Sequence, residues 1–186
     1  AQVGRQLADT LGSTRRIYAL EHEPVTIKDG PQRFANKTTS ELSLSDVGFH
    51  YPGRAQKVLE HVSFRIQSGQ TVALVGPSGA GKTTLAQLLM RFWDPSEGSI
   101  LLSGEDLREY RLEELRSKMA LVAQDTYLFN SSLKENILIA KPDASHSEIA
   151  KALEMASLSE LVESLPKGFD TMVGERGTSL SGGQRQ

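Results

Sequence analysis

The sequence predicts a mixed α/β fold with an antiparallel β subdomain, a central α/β core and an α-helical subdomain, preceded by an amino-terminal helix and linker. Three observations lead to this prediction. Runs with the two-residue alternation of strands and runs with helical spacing follow one another from Glu41 onward. A glycine-rich loop at residues 76–83 lies between an apolar run and a helix-like run, which is typical of an α/β core. Residues 133–165 have mainly helical spacing.

Composition and charge indicate a folded domain and exclude several classes of protein. The chain has 186 residues, a formal net charge of −2 from 21 basic and 23 acidic side chains, and no cysteine. The charge balance leaves no basic footprint for nucleic acid, and the lack of cysteine excludes disulfides and thiolate metal sites. No apolar run approaches the roughly 18 residues that cross a bilayer. We therefore expect one sizeable core, with room for a small subdomain, and no nucleic-acid partner.

Residues 1–40 are predicted to be a helix followed by a linker, and residues 41–186 to be the folded domain. Valine and leucine recur every four positions from Val3 to Leu11, which favours a helix to about residue 23. Proline, glycine and asparagine then interrupt the chain, which is typical of a linker. We expect the apolar stripe of the helix to pack against partner structure.

Strands and helices are predicted in alternation through residues 41–165. The strand predictions rest on two-residue alternation, with a phase shift near Asp46, or on continuous apolar runs that suit the centre of a sheet. They cover residues 42–51, 62–66, 71–75, 99–103 and 119–123. Helices are predicted from Lys82, over residues 112–118, from a Ser-x-x-Glu capping box at Ser145 that should bury Ile149, Leu153 and Ala156, and over residues 161–165.

A phosphate-binding loop is predicted at residues 76–83, which match the pattern GxxxxGK[ST] directly after the apolar run 71–75. Its residues are Gly76, Pro77, Ser78, Gly79, Ala80, Gly81, Lys82 and Thr83. Glycines let the backbone close into a concave loop whose N–H groups surround a phosphate, and the following helix points its positive end at the same place. Lys82 would reach the β- and γ-phosphates. The alternative is a glycine-rich turn beside a surface lysine, but the flanking runs favour a P-loop NTPase core.

A second motif, Leu180-Ser181-Gly182-Gly183-Gln184, narrows the interpretation. By itself, Ser-Gly-Gly is also typical of a flexible loop. Combined with the phosphate loop, with Tyr51 upstream and with the polar Gln124 after an apolar run, it resembles the signature of the nucleotide-binding domain of ATP-binding cassette (ABC) transporters. The resemblance covers residues 42–186 continuously.

The resemblance implies ATP and Mg²⁺ as ligands and assigns roles to the site residues. Tyr51 takes the position of the aromatic side chain that stacks on adenine, and a core tyrosine is the alternative. Gln124 takes the Q-loop position, where its carbonyl oxygen joins the Mg²⁺ shell or orients water, and a strand-end glutamine without a role is the alternative. The Thr83 hydroxyl would be a second oxygen ligand of Mg²⁺.

The remaining site residues follow from the same resemblance. Lys82 and Gln124 are the residues of this chain expected to act in catalysis, and Thr84 adds a hydroxyl to the α-phosphate. The signature residues Leu180, Ser181, Gly182, Gly183 and Gln184 would address the γ-phosphate of a nucleotide held by a second cassette, because the family binds ATP between two cassettes packed head to tail. Asp125 follows Gln124 directly, and the Q-loop interpretation explains the pair better than a Mg²⁺-binding aspartate does.

Other stretches are similar to exporter-type members of the family. They are Thr171 to Gly177, Leu128-Phe129 and Glu135-Asn136-Ile137. The amino-terminal helix is similar to the cytosolic end of a last transmembrane helix that continues through a linker into the cassette. The resemblance thus implies a transmembrane domain on the same polypeptide and a position at the cytosolic face of a membrane. The face that meets the membrane domain would contain Gln124, Leu128, Phe129, Glu175 and Arg176.

The printed sequence ends two residues after the signature, whereas the family continues with the Walker B aspartate, the catalytic glutamate and the switch histidine. From the resemblance we expect this chain on its own to bind ATP with little hydrolysis. We also expect Arg185 and Gln186 to be too few to form a helix after the signature. The strands beside the phosphate loop should be left partly uncovered.

Three classes of function remain open. The first is the ATP-driven motor domain of a membrane exporter. The second is a cytosolic P-loop enzyme such as a small-molecule kinase, and the signature argues against it. The third is a soluble cassette protein that uses nucleotide as a mechanical or regulatory switch, and the amino-terminal helix and linker argue against it.

Overall fold

The chain forms two compact units in a computed structural model that describes residues 2–33, 41–124 and 126–185. The first unit is Ala1–Ala120 and the second is Leu121–Gln186. The first unit begins with helix α1, Gln2–Glu21, which confirms the predicted amino-terminal helix. Within the described ranges, no helix combines the length and the apolar character needed to cross a membrane.

The first unit contains a four-stranded antiparallel sheet, as predicted for the β subdomain. Its strands are β1, Leu42–Phe49; β2, Leu59–Ile66; β3, Glu97–Leu102; and β4, Glu105–Asp106. They lie in the order β2-β1-β3-β4. The predicted phase shift in β1 is confirmed, since the pairing of β1 with β2 changes register between Leu44 and Val47 and Asp46 has a φ of 50°. This bulge brings apolar side chains on both sides of Asp46 to the core.

Helix α2, Lys82–Leu89, and helix α3, Leu112–Arg116, contribute to the core of the first unit. Leu85 and Leu88 are buried on the inner face of α2. Trp93 follows the helix and packs against the same cluster. The buried members of this cluster are Leu44, Val47, Phe49, Leu59, Leu85, Leu88, Ile100, Leu102, Leu107, Tyr110 and Leu115.

The predictions of strands at 71–75 and 119–123 are wrong for this structure, because neither run belongs to a strand. Apart from Met119, which packs partly against the core, their apolar side chains are open to solvent: Val75 is 92% exposed and Val122 is 76% exposed. An apolar run becomes a central strand only where neighbouring strands pair with it and other elements cover its faces. Among the described residues, no strand pairs with either run.

The second unit is mainly helical, as predicted. Its helices are α4, Leu133–Leu138; α5, His146–Met155; α6, Ser159–Ser164; and α7, Gly182–Arg185. The predicted capping box is present, since the Ser145 hydroxyl accepts a hydrogen bond from the Glu148 amide and the Glu148 carboxylate accepts one from the Ser145 amide. Ile149 and Leu153 are buried. The prediction that Ala156 is buried is wrong, because this residue lies at the exposed end of α5.

Part of the predicted linker lies against the rest of the first unit. Gln32 forms a parallel β-bridge with Tyr110, and Gly30 is buried. The predicted domain boundary after residue 40 falls next to residues 34–40, which lie outside the described residues. The boundary therefore stays a prediction.

Candidate functional site

The glycine-rich loop leads directly into the first turn of α2. Gly79 and Gly81 have positive φ angles of 82° and 85°, and Gly81 is the residue that precedes the helix. Its carbonyl accepts the first helical hydrogen bond, from the Leu85 amide at 2.8 Å. A Cβ atom at Gly81 would lie 2.6 Å from the Leu59 side chain. Both the backbone angle and this close approach therefore require glycine at Gly81.

The Lys82 side chain folds back over the loop. Its Nζ donates hydrogen bonds to the carbonyl oxygens of Gly76 at 2.9 Å and Pro77 at 2.7 Å. An ammonium group on the loop, at the positive end of α2, provides a fixed cation for a phosphate group. A phosphate oxygen carries a full charge and is a stronger acceptor than a backbone carbonyl. A phosphate in the loop can therefore compete for the Lys82 ammonium.

The Tyr51 hydroxyl is hydrogen-bonded to two side chains of α2. The hydroxyl oxygen lies 3.0 Å from the Thr84 Oγ1 and 3.1 Å from the Gln87 Oε1. The half-buried ring contacts Trp93 and Phe49 edge-on, with centroids 5.7 Å and 5.0 Å away. These contacts fix the ring next to the helix that carries the phosphate loop. Stacking on adenine stays a prediction.

Gln87 is a site residue that the sequence analysis missed. It lies three positions after Thr84, which places both side chains on one face of α2. This spacing is the sequence signal for Gln87. Thr84 is buried, and buried polar side chains need hydrogen-bond partners, so a polar residue three positions later indicates a shared partner on that face. The partner is the Tyr51 hydroxyl.

The first turn of α2 offers two hydroxyl groups with different surroundings. Thr83 is exposed, whereas Thr84 is buried and bonded to Tyr51. The Thr83 hydroxyl fits Mg²⁺, which takes oxygen ligands and usually keeps several waters, so that one protein oxygen and the phosphates suffice. Among the described residues, no cluster of three or more His, Asp or Glu side chains could hold a metal ion.

Gln124 and the signature belong to the second unit. Gln124 is exposed and ends the apolar run 119–123, while Asp125 lies outside the described residues. The structure thus places Tyr51, the phosphate loop and Thr84 in the first unit, and Gln124 and the signature in the second. The contributions of Gln124 to a Mg²⁺ shell and to catalysis stay predictions.

The signature forms a short helical turn. The Ser181 amide donates to the Gln184 Oε1 at 2.8 Å, and the Gln184 amide donates to the Ser181 Oγ at 3.4 Å. These reciprocal bonds start α7, so a helical turn forms from the signature itself and ends at Arg185. The expectation that no helix follows the signature stays a prediction, because Gln186 lies outside the described residues. Leu180 is buried in the core of the second unit, and Ser181, Gly182 and Gly183 are exposed.

Asn136 holds the loop before α4 in place, a role that the sequence analysis missed. Its Oδ1 accepts a hydrogen bond from the Phe129 amide at 2.8 Å, and its Nδ2 donates to the Phe129 carbonyl at 3.1 Å. The Phe129 ring is 53% exposed and meets Tyr127 edge-on, while Leu128 packs against the core. Gln124 and Glu175 are also exposed. The predicted face for a membrane domain is therefore accessible at three of its residues.

Comparison with known proteins gives one family. The ABC transporter family matches residues 59–186, well over half of the chain. The ATP-dependent lipid A-core flippase of Idiomarina loihiensis is 43% identical over 177 residues, which are 95% of this chain and 30% of the flippase. The mitochondrial iron-sulfur clusters transporter ATM1 of Kluyveromyces lactis is 41% identical over 187 residues, 99% of this chain and 26% of that transporter.

A solved structure shows the same fold. It is a bacterial Atm1-family ABC exporter with ATP bound, and it matches with a TM-score of 0.85 at 36% identity. The match covers 99% of this chain and 32% of the exporter chain. This chain thus spans about a third or less of the length of these relatives. Their transporter names favour the exporter interpretation over a small-molecule kinase.

Proposed function

The chain belongs to the ABC transporter family and corresponds to the ATPase domain of exporter-type members, and from this premise we propose that it binds Mg-ATP at residues 76–84. The observation that carries the proposal is the loop itself. Gly81 starts α2 in a left-handed conformation, and the Lys82 ammonium lies over the loop carbonyls. This is an arrangement in which backbone N–H groups, a cation and a helix terminus can act on one phosphate chain.

Each neighbouring side chain has a defined part in this proposal. Lys82 leaves the Gly76 and Pro77 carbonyls and binds the β- and γ-phosphates, while Thr83 gives an oxygen to Mg²⁺. The Tyr51 ring stacks on adenine. Mg²⁺ would supply charge neutralisation at the phosphates. The central sheet of a P-loop NTPase core would form where the runs 71–75 and 119–123 gain neighbours.

The second cassette is the proposed partner for the signature. Ser181, Gly182 and Gly183 are exposed, and a Cβ atom at either glycine would meet nothing within 4 Å. A γ-phosphate can therefore approach this backbone closely without displacing any neighbour. In the proposed head-to-tail pair, each copy supplies its loop to one nucleotide and its signature to the other.

The membrane domain is the second proposed partner, on the same polypeptide. Helix α1 has exposed apolar side chains at Leu11, Ile17 and Leu20, and Phe129 is exposed in the second unit. Such surfaces on a folded domain favour contact with another protein. The proposed position is the cytosolic face of a membrane, and the coupled activity is ATP-driven transport.

This chain on its own is proposed to bind ATP with little hydrolysis. The family resemblance assigns the Walker B aspartate and the catalytic glutamate to a segment that the 186 printed residues do not include. Without a carboxylate to orient the attacking water, the chemical step lacks its general base. Phosphate release by this chain and by a longer polypeptide that includes both carboxylates compares the two directly. Equal turnover would contradict the proposal.

Lys82→Ala tests the nucleotide site. The substitution should weaken Mg-ATP binding at least about tenfold, because the phosphates lose a charge-assisted hydrogen bond. The matched control is Lys151→Ala, which removes one exposed lysine from α5. Calorimetry with the three chains gives the affinities. If Lys82→Ala binds ATP as tightly as the control, Lys82 does not belong to the site.

Cysteine crosslinking tests the membrane-domain face. Cysteines at Phe129 and Glu175 in the full-length protein should crosslink to cysteines in its cytosolic loops, because both positions are exposed. A cysteine at Lys151, also exposed, is the control for random collision. Crosslinks at Lys151 as strong as those at Phe129 and Glu175 would refute this assignment.

A further inference from the structure

Arg91 carries a buried guanidinium group just after α2. The residue is 2% exposed and has a positive φ of 51°. Its Nε donates to the Asp94 Oδ1 at 3.1 Å and its Nη1 to the Tyr110 carbonyl at 3.0 Å. Its Nη2 donates to the Lys28 carbonyl at 2.7 Å. One side chain thus joins the end of α2, Tyr110 two residues before α3, and the linker.

The linker is held to the same place by its backbone. The Gly30 amide donates to the Tyr110 carbonyl at 3.1 Å, and the Gln32 amide donates to the Glu109 carbonyl at 2.9 Å. In the opposite direction, the Arg111 amide donates to the Gln32 carbonyl at 2.9 Å. These bonds form a docked segment, residues 28–32, which we call the linker strap.

The linker strap fits only because Gly30 has no side chain. A Cβ atom at this position would lie 2.3 Å from both the carbonyl carbon and the carbonyl oxygen of Glu109. It would also lie 2.5 Å from the Tyr110 carbonyl oxygen. Real side chains essentially never come so close to backbone atoms. Any larger residue at Gly30 therefore forces the linker strap away from the domain.

Arg116 of α3 also contacts the residues that follow the carboxyl end of α2. The Arg116 Nη2 donates to the Arg91 carbonyl at 3.0 Å, and the Arg116 guanidinium lies 5.3 Å from the centre of the Phe92 ring. Because α2 has eight residues, about 12 Å separate this end from the turn that carries Lys82. A short helix moves as a rigid body, so a shift of the carboxyl end of α2 also displaces its amino-terminal turn.

Burial of the Arg91 charge needs several acceptors. An uncompensated buried guanidinium is strongly destabilising, and each lost partner leaves part of the charge unpaired. The Lys28 carbonyl, at the shortest of the three distances, is supplied by the linker strap. Undocking of the linker strap therefore disturbs Arg91 and, through it, the end of α2.

We propose that Arg91 is a positioning residue that couples docking of the linker strap to nucleotide binding at the other end of α2. The inference rests on the proposed function, because it takes the phosphate loop as the nucleotide site. A docked strap fixes the end of α2 and with it the direction of its amino-terminal turn. Coupling between two binding events is reciprocal, so ATP must tighten docking of the linker strap by the same factor.

Gly30→Ala in the 186-residue chain tests the coupling without touching the phosphate loop. The substitution should undock the linker strap and weaken Mg-ATP binding about three- to tenfold, within the usual range of coupling between sites. The control is Gly12→Ala in α1, where an added Cβ meets nothing within 4 Å. Calorimetry gives the affinities, and thermal unfolding shows that each chain is folded.

Hydrogen exchange distinguishes coupling from a purely structural role of Arg91, because a structural role alone would not make the exchange rates depend on Mg-ATP. In the unsubstituted chain, saturating Mg-ATP should slow exchange of the Gln32 and Arg111 amides by the same factor by which Gly30→Ala weakens binding. Arg91→Lys is the second variant, since lysine keeps the charge but cannot donate to three acceptors in the same fork geometry. It should lower ATP affinity in the same direction as Gly30→Ala.

Two results would overturn the inference in distinguishable ways. If Gly30→Ala speeds exchange at Gln32 while Mg-ATP affinity stays within twofold of Gly12→Ala, docking and nucleotide binding are independent, and the proposed function survives. If the unsubstituted chain binds no Mg-ATP, the proposed function fails and the coupling fails with it.

Discussion

The phosphate loop in the first unit and the signature in the second differ in how their residues are held. Tyr51 reaches Thr84 and Gln87 across 33 and 36 positions of sequence, and Lys82 is half-buried over its own loop. Ser181 and Gln184 exchange two hydrogen bonds three positions apart, the Ser181 carbonyl accepts another from the Arg185 amide at 3.1 Å, and Ser181 is exposed. Long-range hydrogen bonds therefore hold Tyr51 beside the loop, whereas local hydrogen bonds hold the turn from Ser181 to Gln184.

This difference indicates which half-site is complete in a single chain. A site held by long-range contacts is arranged before its ligand arrives, which lowers the entropic cost of binding. The signature turn is short and exposed, so its backbone and hydroxyl groups are accessible to a nucleotide held by another molecule. We therefore expect the loop side to determine the ATP affinity of the single chain, and the signature to act on a nucleotide held by a second copy.

The largest expected effect comes from Gly81→Ala. The substitution should weaken Mg-ATP binding by roughly a hundredfold or more, because the loop must change conformation and its N–H groups no longer point at the phosphate. Gly53→Ala is the matched control, since Gly53 also has a positive φ, 75°, but an added Cβ there meets nothing within 4 Å. Calorimetry compares the two chains. A similar affinity in both would mean that the loop conformation does not matter for binding.

Tyr51→Ala should have the next largest effect and should act on ATP and GTP alike. Stacking on a base is worth about 1–3 kcal/mol, so affinity should fall about fivefold to a hundredfold. Tyr51→Phe keeps the ring and loses the bonds to Thr84 and Gln87, so it separates stacking from positioning. Nucleotide titrations followed by fluorescence measure all three chains. A loss for one base alone would point to hydrogen-bond recognition of base edges instead.

Glu148→Gln should have a smaller effect, on stability in the second unit rather than on binding. The hydrogen bond from Lys141 and the bonds from Ser145 lower the pKa of the Glu148 carboxyl to about 2. Because the pKa is lowered in the folded state, the stabilisation is present at neutral pH and is lost as pH falls through about 4.5 toward about 2. Thermal unfolding should show a lower Tm for Glu148→Gln at pH 7 than for the unsubstituted chain.

Thermal unfolding of the same two chains at low pH shows whether the Glu148 charge causes the Tm difference. The Tm difference between Glu148→Gln and the unsubstituted chain should shrink as pH falls toward 2. Glu154→Gln removes a carboxylate from the same helix and is the control. A Tm difference that stays constant from pH 7 to pH 2 would show that the charge on Glu148 has no part in the effect.

Ser181→Ala should have the smallest effect, because the signature is expected to meet a nucleotide held by another copy. Mg-ATP affinity of the single chain should stay within about twofold of the unsubstituted value. Calorimetry at concentrations where the chain is a monomer measures this. A tenfold loss would place Ser181 in the nucleotide site of its own chain and remove the contrast between the two half-sites.

Much of the fold could be predicted because its determinants are local. The start of α2 at Lys82 and the register shift at Asp46 follow from glycine placement and apolar spacing. The capping box at Ser145 is a four-residue pattern, and the same pattern at Ser132 and Glu135 marks the start of α4. In both cases the reciprocal side-chain bonds need no distant partner.

Other features could not be predicted because they depend on tertiary contacts. The hydrogen bond from Arg91 to the Lys28 carbonyl spans 63 positions, and no local pattern signals it. The apolar run 71–75 is typical of a central strand. Strand formation, however, depends on neighbouring strands that sequence spacing does not identify. The phosphate loop, in contrast, was found because one short segment contains all of its chemistry.

Amide spectra of the ¹⁵N-labelled chain, titrated with Mg-ATP, show which residues the nucleotide contacts and so test whether the phosphate loop is the binding site. We expect saturable shifts of the amides from Gly76 to Thr84 and near Tyr51, with Ser181 to Gln184 unchanged while the chain is monomeric. Saturable binding that shifts the signature amides and leaves Gly76 to Thr84 unchanged would contradict it.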